Sequence, residues 1–118
     1  MKKQQFVNEF VASLLCEDED VCKVAKDSLY LCLDLIDYDD YKNLKSINSI
    51  TKENYVNICA FICGVLNLKS SMTNEEEQAY KYVKEKGKSL NDNFTSIIKQ
   101  TTSRLSGAMF YRNEVEGQ

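Results

Sequence analysis

The sequence predicts a single all-α domain over residues 1–118, a compact bundle of four or five helices, and three observations support this. The chain contains no proline and only four glycines, a composition that suits helices and disfavours a turn-rich β fold. Apolar residues recur at helical spacing in the first and last thirds of the chain. Between these parts lies a segment that is apolar on all sides, as expected of the central helix of a bundle.

Residues 3–16 predict the first helix because their apolar side chains repeat at the spacing of one helical face. These side chains are Phe6, Val7, Phe10, Val11, Leu14 and Leu15. The four consecutive acids Glu17–Asp20 end this helix and supply an N-cap and first-turn carboxylates for a second helix. The second helix is expected to run to about Ile36, where its apolar stripe stops.

Residues 37–41, Asp-Tyr-Asp-Asp-Tyr, predict a change of chain direction, followed by a short helical turn within about 40–48. The composition also allows a functional interpretation, in which exposed tyrosines supply rigid contact area and the acids select a basic partner. The alternative, which we favour, is a polar loop whose tyrosines pack back onto the bundle. The residues concerned are Tyr38, Asp39, Asp40 and Tyr41.

The central helix is predicted at about 52–68, where the chain is apolar on every side and Thr51 supplies an N-cap. A buried β-strand is the competing interpretation of such a run. Its length of about 15 residues and its cap favour a helix. The residues expected in the core of the bundle are Phe61, Ile62, Leu35, Val83, Phe94 and Ile97.

A long C-terminal helix is predicted at about 73–110. Thr73 and Glu76 have the spacing of a capping box at its start, and a seam of residues at steps of three or four follows. The seam consists of Val83, Gly87, Leu90, Phe94, Ile97, Thr101, Leu105 and Ala108. Gly87 either lets a neighbouring backbone approach closely or bends the helix.

The length of this helix bears on self-association. A continuous helix over 73–110 would extend about 55 Å, roughly twice the length of the others. Its projecting end would expose the apolar seam unless a second chain covered it, which predicts a homodimer through the long helix. A bend at Gly87 would instead give a monomer. At the end of the helix, Met109, Phe110 and Tyr111 either fold under the bundle or form an exposed apolar patch.

The outer face of the long helix is a second candidate binding surface. No acidic residue occurs between positions 93 and 113, a stretch that contains Lys99, Arg104 and Arg112. Such a face is either ordinary solvated surface or a docking face for a partner helix or a phosphate backbone. The partner-binding residues predicted here are Lys99, Arg104, Phe110, Tyr111 and Arg112.

Nothing in the sequence supports catalysis or a cofactor. The chain has no histidine, so the usual general base at neutral pH is missing, and its isolated glycines form no phosphate-binding loop. The five cysteines lack the spacing of a zinc site, and Cys59 and Cys63 have apolar neighbours, as core residues do. We therefore predict no catalytic residue, no metal and no cofactor, and the protein is not expected to be an enzyme.

Composition also limits location and partners. An odd number of cysteines suits a reducing compartment, and the longest apolar run is about half a membrane span, so a cytoplasmic protein without membrane association is expected. The net charge of −3 has the wrong sign for a dedicated nucleic-acid binder. Lysine outnumbers arginine 13 to 2, a bias that indicates an AT-rich genome such as that of a low-GC bacterium, a phage or a virus.

These observations predict a non-enzymatic protein–protein interaction module, an inhibitor, immunity or adaptor protein that acts by occupying the surface of another protein. The first alternative is a nucleic-acid-binding regulator that uses the basic face of the long helix. The second alternative is a structural subunit of a larger assembly.

Overall fold

The computed structural model describes the backbone of residues 1–116 and the side chains of residues 1–111. This part of the chain forms five α-helices and two short 3-10 turns, and contains no β-strand. The predicted all-α bundle is therefore confirmed. The helices are α1 (Lys3–Ser13), α2 (Glu19–Ile36), α3 (Lys52–Asn67), α4 (Asn74–Leu90) and α5 (Phe94–Glu116), and the 3-10 turns are Asp40–Asn43 and Ile47–Ser49.

Helix α3 is the centre of the bundle and packs against α2, α4 and α5. Its residues from Ile58 to Leu66 are all buried, which agrees with a segment that is apolar on every side. Each large apolar side chain buried here contributes about 1.5–3 kcal/mol relative to its exposed state. The predicted central helix at 52–68 is thus confirmed, with its end one residue earlier.

Side-chain caps set the beginnings of three helices. The Asp18 carboxylate accepts hydrogen bonds from the first turn of α2, and the Thr51 hydroxyl accepts one from the N–H of Asn54, at 3.1 Å. At α4 the capping box is complete. Thr73 accepts from the N–H of Glu76 at 3.2 Å, and Glu76 accepts from the N–H of Thr73 at 2.9 Å. Each cap satisfies backbone donors that have no partner within the helix.

The continuous helix predicted at 73–110 is wrong. Helix α4 ends at Leu90, the backbone of Asn91 is extended (φ −151°, ψ 118°), and α5 begins at Phe94. The Asn91 side chain accepts the N–H of Asn93 at 2.8 Å. Short polar side chains of this kind compete with helical hydrogen bonds for the backbone. The segment is therefore a helical hairpin with a three-residue connection.

Gly87 lies within α4, which continues past it to Leu90, so the two shorter helices that a bend at Gly87 would give are present, but the chain reverses at 91–93 and not at Gly87. Gly87 instead allows a close approach, by the aromatic ring of Phe94 rather than by a backbone. Because this segment forms two helices, the single long helix on which the predicted homodimer was based is not formed, and self-association stays a prediction. The apolar faces of α4 and α5 are largely covered by the rest of the bundle.

The core contains most of the side chains expected there. Phe61, Ile62, Val83 and Phe94 are buried, whereas Leu35 and Ile97 are only partly buried and pack at the edge of the core. The most buried residues of α5 are Phe94, Ile98 and Leu105. Phe94 and Leu105 belong to the predicted seam, whereas Ile98 takes the buried position that was predicted for Ile97.

The first helix is shorter than predicted. It ends at Ser13 instead of residue 16, and Leu15 lies outside it with a left-handed backbone. Leu14 is buried as expected, but the side chain of Leu15 is 76% exposed. The prediction that Leu15 shares the buried face of α1 is therefore wrong. Leu15 would lie on that face only if α1 continued beyond Ser13.

Within residues 1–116, the helices are all too short or too polar to cross a lipid bilayer.

Candidate functional site

Three consecutive residues near the end of α5 expose large apolar surfaces. Met109 is 36% exposed, Phe110 67% and Tyr111 72%. We call Met109, Phe110 and Tyr111 the α5 tip. Of the two alternatives considered for these residues, the structure shows the exposed patch. Exposed large apolar side chains are a common mark of a binding surface.

The α5 tip is exposed because of where it falls on the helix. Phe94 and Leu105 are fully buried and define the side of α5 that faces the bundle. At about 100° per residue, Phe110 points about 160° away from Phe94, which is nearly opposite the core. Burying Phe110 would therefore require the helix to end earlier, and α5 instead continues to Glu116.

The tip is displayed on a helix that is firmly anchored. A β-carbon at Gly64 of α3 would lie 3.0 Å from a methyl carbon of Leu105 and 3.2 Å from the methyl carbon of Thr101. Gly64 thus lets α5 come close to α3 at this crossing. The Asn67 amide also donates a hydrogen bond to the Thr102 hydroxyl at 3.2 Å. Because of these contacts, the tip is held on an element that is already ordered.

Gly107 differs from the other helical glycines. Its neighbourhood is open, with no atom of another element within 4 Å of where a β-carbon would stand. A glycine inside a helix costs about 1 kcal/mol relative to alanine, and packing within the chain does not require this one. Its lack of a side chain leaves the backbone of α5 accessible beside the α5 tip.

The basic residues predicted on this helix are partly described. Lys99 and Arg104 are exposed, and neither forms an ion pair with another side chain among residues 1–111. The side chain of Arg112 lies outside the described residues. Lys99, Arg104, Phe110 and Tyr111 are thus exposed along one helix, with Lys99 about 16 Å before Phe110.

The predicted corner at 38–41 is different. The ring of Tyr41 is buried and stacks on Phe6 with centroids 5.2 Å apart. Tyr38 is half-buried, edge-on to Phe61 at 5.4 Å, and burial raises the pKa of its hydroxyl to about 12. The interpretation in which both tyrosines are exposed is wrong, and the favoured one, in which they pack on the bundle, is confirmed.

Asp39 and Asp40 remain exposed beside that packed pair. Tyr38 and Tyr41 lie 6.4 Å apart, between ring centroids, and pack on α1 and α3 rather than on α5. The corner therefore offers exposed carboxylates beside tyrosines that pack on the bundle, as the favoured interpretation has it. Its role in partner binding stays a prediction.

The cysteines have two environments. Cys32, Cys59 and Cys63 are buried, and desolvation raises the pKa of each thiol, to about 12 for Cys32 and Cys59. Such thiols are protonated at neutral pH and therefore poor nucleophiles. Cys16 and Cys22 lie half-buried between α1 and α2, where the Cys22 thiol donates to the Cys16 carbonyl at 3.2 Å.

Among residues 1–111, no three histidine, cysteine or acidic side chains are arranged to hold a metal ion. The same residues contain no buried side-chain oxygen or nitrogen without a hydrogen-bond partner. A buried polar group without a partner often marks the place of a missing ligand, and the described residues contain no group of this kind.

Sequence reasoning missed a cleft between the loop that follows α1, the start of α2, and α4. This open cleft of about 440 Å³ is lined by Leu15, Cys16, Glu17, Asp18, Val21, Gln78 and Tyr82. Its position depends on the left-handed Leu15 and on the packing of α4, neither of which leaves a periodic signal. Leu14 and Leu15 are followed almost directly by the four acids Glu17–Asp20. This abrupt change of composition is the local signal that could have indicated the cleft.

Comparison with known proteins adds no functional assignment, since no protein-family model, no curated protein and no solved structure matches this chain.

Proposed function

We propose that this protein is a non-enzymatic protein–protein interaction module, of the inhibitor, immunity or adaptor kind, that binds its partner through the α5 tip. The observation that carries the proposal is the exposure of three consecutive large residues, Met109, Phe110 and Tyr111, around the end of one helix. Aromatic and methionine side chains are enriched at the centres of protein interfaces, where a few of them supply most of the binding energy.

The anchoring of α5 supports this proposal. Phe94, Ile98 and Leu105 fix the helix in the bundle, and the tip continues the same helix beyond Leu105. A preformed helix end with exposed aromatic rings suits insertion into an apolar groove of the partner.

The chemistry of the cysteines supports binding rather than catalysis. Burial raises the pKa values of the three buried thiols, which keeps them protonated at neutral pH, and the chain has no histidine to serve as their base. All five cysteines are free, which supports the further proposal that the protein works in the cytoplasm, a reducing compartment.

The test is capture of the partner from an extract of the source cells by immobilised protein. We compare wild type with the double variant Phe110→Gln, Tyr111→Gln, which keeps good helix formers at both positions. The matched control is Leu31→Gln, which removes an exposed leucine from α2. We expect wild type and the control to capture the same protein and the tip variant to lose it.

A partner retained equally by all three proteins would contradict the role of the tip. The extract is treated with nuclease in a parallel sample, because Lys99 and Arg104 on an acid-free stretch are the observation that favours the nucleic-acid alternative. Recovery of nucleic acid alone, with an affinity that falls steeply with salt, would reverse the proposal. A stable stoichiometric assembly of many copies in the extract would instead favour a structural subunit.

A further inference from the structure

Two of the five free cysteines lie together near the surface, where α1 connects to α2. Cys16 belongs to the connection, and Cys22 belongs to the first turn of α2. Both side chains are half-buried, and the Cys22 thiol donates a hydrogen bond to the Cys16 carbonyl at 3.2 Å. They also line the same open cleft, beside Lys26 and Tyr30. The fold thus places two thiols next to each other, within reach of small molecules in solvent.

The connection at Cys16 has room to adjust. Among the described residues, Cys16 takes part in no backbone–backbone hydrogen bond, and its sulfur lies at 3.9 Å from the Asp18 carbonyl, which is a long contact. Cys22 is held in α2, where its N–H donates to the Asp18 carbonyl at 2.9 Å. Joining the two sulfur atoms would therefore move the connection and leave the helix in place.

The other three cysteines lack this access to solvent. Cys32, Cys59 and Cys63 are each 0% exposed. Cys59 and Cys63 are also neighbours, one turn apart in α3, but the surrounding helices enclose them. An oxidant dissolved in water therefore meets Cys16 and Cys22 first, because exposure governs which thiols are oxidised.

We propose that Cys16 and Cys22 form a redox site, which a hydroperoxide converts into a reversible disulfide within one molecule. This site is separate from the α5 tip, and it assigns a modification to the connection between α1 and α2. A thiol pair of this kind suits a reducing compartment, where disulfides are transient and often serve to sense oxidants.

The reaction has two steps. The Cys16 thiolate first attacks an oxygen atom of the hydroperoxide, so that a sulfur–oxygen bond forms and the oxygen–oxygen bond breaks. Cys16 becomes a sulfenic acid, and the leaving oxygen takes up a proton and departs as an alcohol or as water. The Cys22 sulfur then attacks the Cys16 sulfur. A sulfur–sulfur bond forms, the sulfur–oxygen bond breaks, and hydroxide leaves with the Cys22 proton as water.

The environment of Cys22 favours this order of steps. Burial raises the pKa of the Cys22 thiol, and the neighbouring Cys16 side chain raises it further. Cys22 therefore holds its proton more tightly than an ordinary thiol, which makes it the weaker nucleophile in the first step. Once Cys16 is a sulfenic acid, the Cys22 thiol already lies beside it for the second step.

The experiment treats the folded, reduced protein with hydrogen peroxide and identifies the oxidised residues by mass spectrometry. The remaining thiols are alkylated in urea, and a glutamate-specific protease then cuts between the two cysteines, after Glu17 and Glu19. We expect two of the five thiols to be lost. The peptides that contain Cys16 and Cys22 should stay joined until a thiol reductant is added, and the three buried cysteines should all be alkylated.

Two conservative variants separate the roles of the two thiols. Cys22→Ser is expected to form no internal disulfide and to accumulate a sulfenic acid at Cys16, which dimedone traps. Cys16→Ser is expected to leave Cys22 reduced under the same treatment. Cys59→Ala is the matched control, since it removes a buried thiol, and it should form the disulfide as wild type does. Circular dichroism confirms that each variant is helical.

Oxidation in urea tests whether the fold selects the pair. Cys59 and Cys63 are accessible in the unfolded chain, so we expect them to be oxidised there together with Cys16 and Cys22.

Four results would overturn the inference. The first is a folded wild type in which Cys16 and Cys22 stay reduced. The second is oxidation of a buried cysteine of the folded protein as fast as that of Cys16. The third is a disulfide between two molecules instead of within one, and the fourth is oxidation of Cys16 beyond the sulfenic acid in wild type without a disulfide.

Discussion

The ring of Phe94, the first residue of α5, lies against the backbone of Gly87 in α4, so close that a β-carbon at Gly87 would stand 2.4 Å from the ring. Phe94 is fully buried. Only glycine, which has no β-carbon, leaves room for the Phe94 ring at position 87. This contact lets the chain reverse through three residues and return across α3. It thereby accounts for the hairpin that replaces one long helix.

Gly87→Ala is expected to destabilise the protein by about 1–3 kcal/mol, the usual cost of overpacking a core, although alanine is the better helix former. Urea unfolding measures the effect. Gly107→Ala is the matched control, because Gly107 lies in α5 with open space around it. Helix propensity then acts alone and should stabilise the protein by about 0.5–1 kcal/mol. Equal effects of the same sign at both positions would contradict the role of the Phe94 ring.

Leu15→Gly is expected to stabilise the protein by about 1 kcal/mol, since glycine avoids the steric penalty of a left-handed backbone. Thermal unfolding of the two proteins checks this. Leu14→Ala serves as the contrast, because Leu14 is buried next to Leu15 and its truncation should cost about 2–5 kcal/mol. A loss of stability in Leu15→Gly would show that the leucine side chain supports the fold, which its exposure does not predict.

Phe61→Ala is expected to lower the free energy of unfolding by about 3–5 kcal/mol and to leave little folded protein. The reason is that Phe61 is buried in the central helix and its ring packs edge-to-face with that of Tyr38. Phe110→Ala removes the same side chain from an exposed position and should change stability by less than about 0.5 kcal/mol. The ratio of folded to unfolded protein, measured by circular dichroism in urea, separates the two. Similar losses at both positions would place Phe110 in the core.

Stability is expected to fall as the pH rises above about 9. The thiols of Cys32 and Cys59 ionise near 9.0 in the unfolded chain, whereas burial raises the pKa of each to about 12 in the folded protein. Between these values the unfolded chain has released protons that the folded protein still holds. Each thiol then lowers the free energy of unfolding by about 1.4 kcal/mol per pH unit, and below the lower value the effect is absent.

Urea unfolding at a series of alkaline pH values measures this slope. Cys59→Ala should reduce it, because one of the titrating groups is removed. Val56→Ala is the control, since Val56 is buried in the same helix and its truncation lowers stability without removing a titrating group. A slope that is unchanged in Cys59→Ala would show that this thiol does not contribute.

Features that depend on near neighbours in the chain could be predicted from the sequence alone. Thr51 and Thr73 cap their helices as predicted, because a cap joins residues two or three positions apart. Helix α3 was predictable because a segment that is apolar on every side has one stable place, inside the bundle. The candidate surface on α5 was indicated in part, since its lack of acids and its terminal aromatic residues are visible in the sequence.

Where these segments turn and which side chains they expose depends on contacts between helices, which the sequence pattern does not contain. The apolar seam continues across residues 91–93 with unbroken spacing, so periodicity could not reveal a reversal that depends on Gly87 and Phe94 meeting from different helices. Likewise, the burial of Tyr41 depends on Phe6, far away in the chain. The exposure of Leu15 follows from the early end of α1. Contacts between distant residues set these features, and a repeat of three or four residues carries no information about them.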